Sequence, residues 1–153
     1  GKQAAQTFSE YGATCILLGR TVSKLEATYD SIVTAGHPEP SIVPLDMQGA
    51  TVKNYQDMAA TINAEYGKLD GCLHNASILG ELGPFEDIKA EEWQSVMQIN
   101  VNATAFMTQA LLPVLKQAEN ASVVFTSSSV GRKGRAFWGS YSVSKFATEG
   151  MMQ

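Results

Sequence analysis

The chain is predicted to fold as one α/β domain around a parallel, doubly wound sheet, and three features of the sequence carry that prediction. Short apolar runs of four or five residues alternate with longer segments of helical periodicity from one end to the other. Right-handed crossovers turn such an alternation into parallel strands with helices between them. At 153 residues, 44% apolar and 17% charged, the chain can bury one core and is neither disordered nor a coiled coil. The residues most suggestive of chemistry fall just beyond the last apolar run, where an open α/β sheet places its site.

Lys2 to Glu10 has Ala4, Ala5 and Phe8 spaced for one buried helical face, and Tyr11-Gly12 closes it. Thr14 to Leu18 reads as a short buried strand. Thr21 to Val33 is a helix entered by a threonine cap and ended by Ala35-Gly36-His37-Pro38. Ser41 to Leu45 gives a second strand, and Val52 to Tyr66 a helix with Tyr55, Met58, Ala59 and Ile62 on its inner face. Gly71 to His74 is the third strand, Ser77 to Ile88 a loop rich in Gly and Pro, and Glu91 to Gln117 a long helix. Ser122 to Phe125 is the fourth strand, ahead of a helix that carries Tyr141. No repeat, linker or low-complexity segment intervenes, so residues 1–153 read as part of a single domain.

Composition narrows the partners. Eleven basic against fifteen acidic residues, without a clustered basic face, argue against nucleic acid and anionic membrane. No apolar run reaches the length of a membrane span, and no signal peptide opens the chain. Cys15 and Cys72 each lie in an apolar run, as reduced core thiols of a cytoplasmic protein do. Neither His37 nor His74 stands at metal-ligand spacing from them, so no metal site is expected.

The run Thr126-Ser127-Ser128-Ser129 follows the fourth strand, and Tyr141-Ser142-Val143-Ser144-Lys145 follows that. On a helix starting near Ser140, Tyr141 and Lys145 share one face, so an ammonium can reach a phenol. Bringing a free phenol from ~10 into the neutral range takes roughly 4 kcal/mol. One fixed cation at ~4 Å and an effective dielectric of ~20 supplies about that. Tyr-x-x-x-Lys alone recurs by chance roughly one time in four in such a composition. Ser128, thirteen residues before Tyr141 at a strand end, sharpens it.

With that serine, tyrosine and lysine in place, the chain resembles the short-chain dehydrogenases/reductases, most closely bacterial NADP-type members of unassigned substrate. The resemblance runs over essentially the whole chain and implies a Rossmann-like fold and hydride transfer between NADP(H) and a small carbonyl or alcohol. It implies that Tyr141 exchanges a proton with the substrate oxygen and Ser128 hydrogen-bonds it. Lys145 would assist Tyr141 and hold the cofactor ribose, while Asn100, in Ile99-Asn100-Val101-Asn102, would complete a water relay. Asparagine is a poor helix former that can admit a water into the helical ladder. In His74-Asn75-Ala76-Ser77, Asn75 and Ala76 keep the family's cofactor-side pattern, whereas His74 and Ser77 depart from it, and a lone His74 is more often structural than catalytic. Gly1 matches the last glycine of the family's phosphate-binding turn, and Asp46 matches the acid that contacts adenine. Gly19-Arg20 follows the first strand where an acid would hold the ribose of NAD; a guanidinium suits a 2′-phosphate instead, favouring NADP over NAD.

The basic residues Arg132, Lys133 and Arg135, followed by Phe137-Trp138, lie in a loop that borders the substrate in the family; solvated charge is favoured there over an anionic substrate, and the two aromatic residues are expected either to shape an apolar pocket or to pack against a partner subunit. A homo-oligomer, dimer or tetramer, is expected for the full-length enzyme. Two other functions fit less well: a non-enzymatic nucleotide-binding or regulatory protein on this fold, disfavoured by the intact Ser, Tyr, Lys and Asn, and a sugar-nucleotide epimerase or dehydratase, disfavoured by Asn75-Ala76. The chain starts at a glycine and enters a helix at once, and it stops within the helix bearing Tyr141. The expectation is therefore a domain truncated at both ends, inactive as given, with its first strand and its C-terminal strands absent. In the order 3-2-1-4-5-6 the missing strand would separate Thr14–Leu18 from Gly71–His74.

Overall fold

The computed structural model describes residues 1–153, which form two compact units, Gly1–Met47 and Gln48–Gln153. Within each, strand and helix alternate, and hydrogen bonding joins the strands in two separate parallel pairs rather than one continuous sheet. The architecture is α/β and Rossmann-like, but incomplete in its sheet.

In the first unit, α1 (Lys2–Glu10) ends at Tyr11, and Gly12 takes φ +90°, a conformation that suits glycine. The amides of Gly12 and Ala13 turn back to the carbonyls of Ser9 and Phe8, both at 3.0 Å. That turn delays the strand, so β1 spans Ile16–Gly19 instead of beginning at Thr14. The buried residue of α1 is Ser9, whose hydroxyl donates to the Cys15 sulfur at 3.3 Å, while Phe8, expected inside, is 54% exposed. The helix thus turns a small polar side chain inward where the chain doubles back. β1 pairs with β2 (Ser41–Pro44) in register Ile16↔Ser41 to Gly19↔Pro44. Backbone bonds from Ser41 to Cys15 and from Leu45 to Gly19, each 2.9 Å, extend the pairing at both ends. Between the strands runs α2 (Val22–Thr34), with Ile32 buried. Thr21 occupies its N-cap without a side-chain cap bond; its carbonyl accepts from Lys24 and Leu25 instead.

The second unit opens with α3 (Val52–Tyr66), entered through a reciprocal Thr51–Asn54 capping box and ended by Gly67 at φ +70°. Tyr55, Met58, Ala59 and Ile62 form its buried face as the sequence predicts. β3 (Gly71–His74) pairs with β4 (Ser122–Phe125) from Gly71↔Ser122 to His74↔Phe125. The long helix expected from Glu91 to Gln117 is interrupted: α4 (Ala90–Met97) passes through a π-helical turn, Gln98–Asn102, into α5 (Ala103–Leu115). The π-turn centres on Asn100, the residue whose helical propensity predicts a defect, and such turns are frequent at functional sites. α5 packs against α3, burying Met107, Leu111, Val114 and Leu115, whereas Leu112 stays 41% exposed. Pro113 sits within the last turn of α5, close to where the helix stops. A 3₁₀ turn (Ser129–Gly131) leads from β4 toward α6 (Gly139–Met152), which packs against that turn, the π-turn and α4.

Candidate active site

The sequence motifs meet where α6 docks on the end of β4. Thr126 continues the β3–β4 pairing through its amide bond to His74 O, 2.9 Å, and leaves its own carbonyl exposed to α6. Lys145 Nζ donates to that carbonyl at 2.7 Å. Lys145 is 4% exposed, and burial lowers its pKa from the ordinary lysine value. Its ammonium lies over the Tyr141 ring, 5.5 Å from the centroid.

Two further contacts hold Ser128 to the same helix. Ser128 is extended and caps the 3₁₀ turn, accepting from the Gly131 amide at 2.9 Å. Gly131 lies directly on the α6 backbone, since a Cβ there would stand 2.8 Å from the C, O and Cβ atoms of Lys145. The Ser142 hydroxyl donates to Val130 O at 2.7 Å in a buried bond. The hydroxyls of Ser128 and Tyr141 themselves make no hydrogen bond within the chain.

Asn100 is 3% exposed and saturated. Its Oδ1 accepts from the Ile78 amide and its Nδ2 donates to the Ile78 carbonyl, both at 2.9 Å, with the second Nδ2 hydrogen on Ser144 Oγ at 3.0 Å. Ser144 in turn donates to Tyr141 O at 2.7 Å. The side chain therefore ties three segments together: the loop after β3, the π-turn and α6. No amide hydrogen remains for a proton relay, so a relay through Asn100 has only its backbone to use.

Sequence reasoning named Ser128, Tyr141, Lys145 and Asn100 but missed the residues that align them. Ser142 and Ser144 were visible inside the Tyr-to-Lys motif, and Gly131 was visible three positions after Ser128. The Thr126 carbonyl left no signal, because a backbone acceptor is independent of side-chain identity.

His74 is structural. It is 9% exposed, stacks on Phe125 at 4.9 Å and meets Thr108 Oγ1 at 2.8 Å. Thr108 already donates its one hydroxyl proton to Thr104 O, so it accepts from a neutral imidazole protonated on Nε2. Burial pushes the His74 pKa down to about 4 and the neighbouring Cys72 thiol up to about 11. Asn75 and Ala76 are exposed beyond the end of β3. In the first unit Arg20 is exposed directly after β1, Asp46 is exposed two residues after β2, and Gly1 caps α1 through its carbonyl. No group of three or more His, Cys, Asp or Glu side chains is placed to hold a metal ion.

A cleft of about 410 Å³ is lined by Ser127, Ser128, Ser129, Arg132 and Glu149. Arg132 Nε donates to Glu149 Oε1 at 3.3 Å, so one of the three loop cations is neutralised by α6. Ser127 Oγ is buried in the same cleft as Glu149. This hydroxyl first, and then Arg132, holds the Glu149 carboxyl below the ordinary carboxylate range against the opposing effect of burial. In the same loop Phe137 is the one non-glycine residue at positive φ, +72°, a conformation that costs about 1–3 kcal/mol.

The sequence model for short chain dehydrogenases matches residues 1–153. An uncharacterised oxidoreductase of Escherichia coli K12, YciK, is 51% identical over 153 residues, covering all of this chain and 61% of its own length. A crystal structure from Escherichia coli CFT073, complexed with NADPH, is 50% identical with a TM-score of 0.97 over 100% of this chain and 64% of its own. One from Shigella flexneri 2a, complexed with NADP, is 51% identical with a TM-score of 0.97, covering 99% and 64%. The chain thus spans a little over three fifths of the length of these relatives.

Burial of His74 sets a pH dependence. The unfolded chain takes up this proton near pH 6.5 and the folded one only near pH 4, so the unfolded state binds more protons between them. The stability conferred by neutral His74 is complete above pH 6.5 and is lost as pH falls toward 4, by about 3 kcal/mol at ~1.4 kcal/mol per unit. Urea unfolding at pH 7 and pH 4 should show a drop about that much smaller in His74→Asn than in the wild type. Equal drops would contradict a neutral, buried imidazole.

Proposed function

Since the chain belongs to the short-chain dehydrogenase family, we propose that the protein transfers a hydride between NADP(H) and a carbonyl or alcohol substrate. The observation that carries the reading is the buried Lys145 ammonium, fixed on Thr126 O and lying over Tyr141. An ammonium has three donors and the chain satisfies one, so two remain for the two hydroxyls of a ribose. Arg20, exposed and in no ion pair within the chain, supplies the charge for a 2′-phosphate, and Asp46 an acceptor for the adenine amino group. Gly1 in the first unit, and Asn75 and Ala76 in the second, are further positions that the family resemblance assigns to the cofactor. The NADPH and NADP complexes of the two relatives support NADP(H) over NAD(H).

When bound, the nicotinamide supplies or accepts the hydride. In the reducing direction the carbonyl oxygen takes its proton from the Tyr141 hydroxyl while its carbon gains the hydride. Ser128 donates a hydrogen bond to the same oxygen as negative charge develops there. The Lys145 ammonium stabilises the phenolate that Tyr141 becomes, and in the oxidising direction the phenolate takes the proton back. Asn100 keeps α6 in position through Ser144. A cytoplasmic homo-oligomer, dimer or tetramer, belongs to the same reading. Phe106 and Leu112 are exposed apolar side chains on α5 that suit a subunit contact, and no helix is long and apolar enough to cross a membrane.

Tyr141→Phe in the full-length enzyme should abolish turnover while leaving NADPH affinity nearly unchanged, because the hydroxyl moves the proton but does not hold the cofactor. Activity within tenfold of wild type would overturn the assignment of Tyr141. Arg20→Ala removes one charge-assisted pair, worth about 1.5 to 3 kcal/mol. It should weaken NADPH binding at least tenfold in a fluorescence titration and barely change NADH. Equal losses for the two cofactors would show that Arg20 does not read the phosphate.

A further inference from the structure

Residues 75–89 join β3 to α4, and their one regular element is the short 3₁₀ turn Phe85–Asp87. Such a segment keeps its shape only through contacts with its neighbours. Near its start, Ile78 is bonded through both backbone groups to Asn100, and so through Ser144 to the Tyr141 carbonyl. Toward its end, the Gly83 amide donates to Phe137 O at 3.0 Å, and a Cβ on Gly139 would fall 2.3 Å from Ile88 Cδ1. Both ends are therefore tied to the start of α6, which carries Tyr141.

Between those two ties stands one charged side chain. Glu92, in the first turn of α4, accepts from the Glu81 amide through Oε1. Gly80 makes room for that carboxylate: it sits at φ +73°, and a Cβ on it would fall 2.5 Å from Glu92 Oε1 and 3.0 Å from Val96 Cγ2. The Glu81 side chain does not compete for its own amide, since its carboxylate faces Lys89 at 3.9 Å. Two acids open α4, and they differ. Glu91 is exposed, as suits an acid that serves only the helix dipole, whereas Glu92 is half-buried and bonded to a backbone amide of the loop. A carboxylate on an amide is a charge-assisted bond, roughly twice as strong as a neutral one.

We propose that Glu92 is a positioning residue, which clamps the middle of this loop through the Glu81 amide and thereby fixes the entry to α6 that places Tyr141. The inference rests on the oxidoreductase reading and adds to its machinery a residue that acts through the loop rather than on the reacting atoms. Without the clamp, Gly83 and Ile88 would hold the start of α6 from a segment free to shift between Ile78 and the 3₁₀ turn. A small displacement of the group that moves the proton is costly in rate, and it leaves the cofactor contacts in place.

The test uses the full-length enzyme with NADPH, takes benzaldehyde, acetophenone and acetoacetyl-coenzyme A as probe carbonyls, and follows hydrogen exchange of the loop amides in parallel. Glu92→Ala should lose about tenfold or more in kcat, with NADPH affinity within about twofold of wild type, and the Glu81 and Gly83 amides should lose protection. Glu92→Gln keeps an oxygen acceptor in the same place and should recover most of both. A carboxylate needed only for the helix dipole would leave the glutamine variant as impaired as the alanine one. Gly80→Ala displaces the same carboxylate, so combining it with Glu92→Ala should cost little more in kcat than either change alone. Losses that multiply in the double variant, a glutamine variant no better than alanine, or loop protection unchanged in Glu92→Ala would each overturn the proposal. Loop amides that loosen as expected in an enzyme that oxidises NADPH with none of the three carbonyls would leave the clamp standing and sink the oxidoreductase reading instead.

Discussion

The site depends on one close contact, the docking of α6 on the turn that leaves β4. Gly131 brings that turn to the α6 backbone at Lys145, and Lys145 reaches past it to the Thr126 carbonyl. A buried ammonium is costly unless hydrogen-bonded, and a charge-assisted bond of this kind contributes about 1.5 to 3 kcal/mol. The same bond places the charge over Tyr141. Because Ser128 begins the turn that Gly131 ends, the serine is referred to the same helix as the tyrosine and lysine. Three side chains from two elements thus share one reference frame.

The π-turn at Asn100 supplies the second fixed point. A regular helix from Ala90 to Leu115 would present a different side chain to Ile78 and Ser144; the extra residue in the turn aims the Asn100 amide between them. Asn100 bonds both the amide and the carbonyl of Ile78, as a strand neighbour would, and so holds the loop after β3 without a strand there. Ser144 passes the constraint to the Tyr141 carbonyl. The irregularity is thus a means of joining a loop to a helix through one buried side chain.

Element order and type were legible in the sequence wherever the apolar period was strong. The inner face of α3 and the strands Gly71–His74 and Ser122–Phe125 coincide with their expected bounds. The misjudged positions have local causes. Phe8 faces outward because Ser9 bonds Cys15, and Thr14 lies outside β1 because the turn at Gly12 and Ala13 uses those amides first. Chemistry carried by side chains in a motif was readable, since Tyr141 and Lys145 are one helical turn apart by arithmetic. A contact made by a backbone atom, such as the Thr126 carbonyl, depends on tertiary packing and gave no residue-type signal, whereas Gly131 was visible as a glycine but its contact with α6 needed the fold to appear. The structural role of His74 was readable only as a tendency, and its bond to Thr108 needed the fold to appear.

If the α6 contact sets the catalytic geometry, the most direct measurement is NADPH-dependent carbonyl reduction by full-length Gly131→Ala, alongside its thermal midpoint and NADPH affinity. The added methyl would stand 2.8 Å from backbone and side-chain atoms of Lys145, so the turn and α6 must separate by several tenths of an ångström or more. A displacement of that order at the reacting groups costs on the order of tenfold or more in kcat. The account predicts that loss in a protein that still folds and binds NADPH; kcat within twofold of wild type would contradict it.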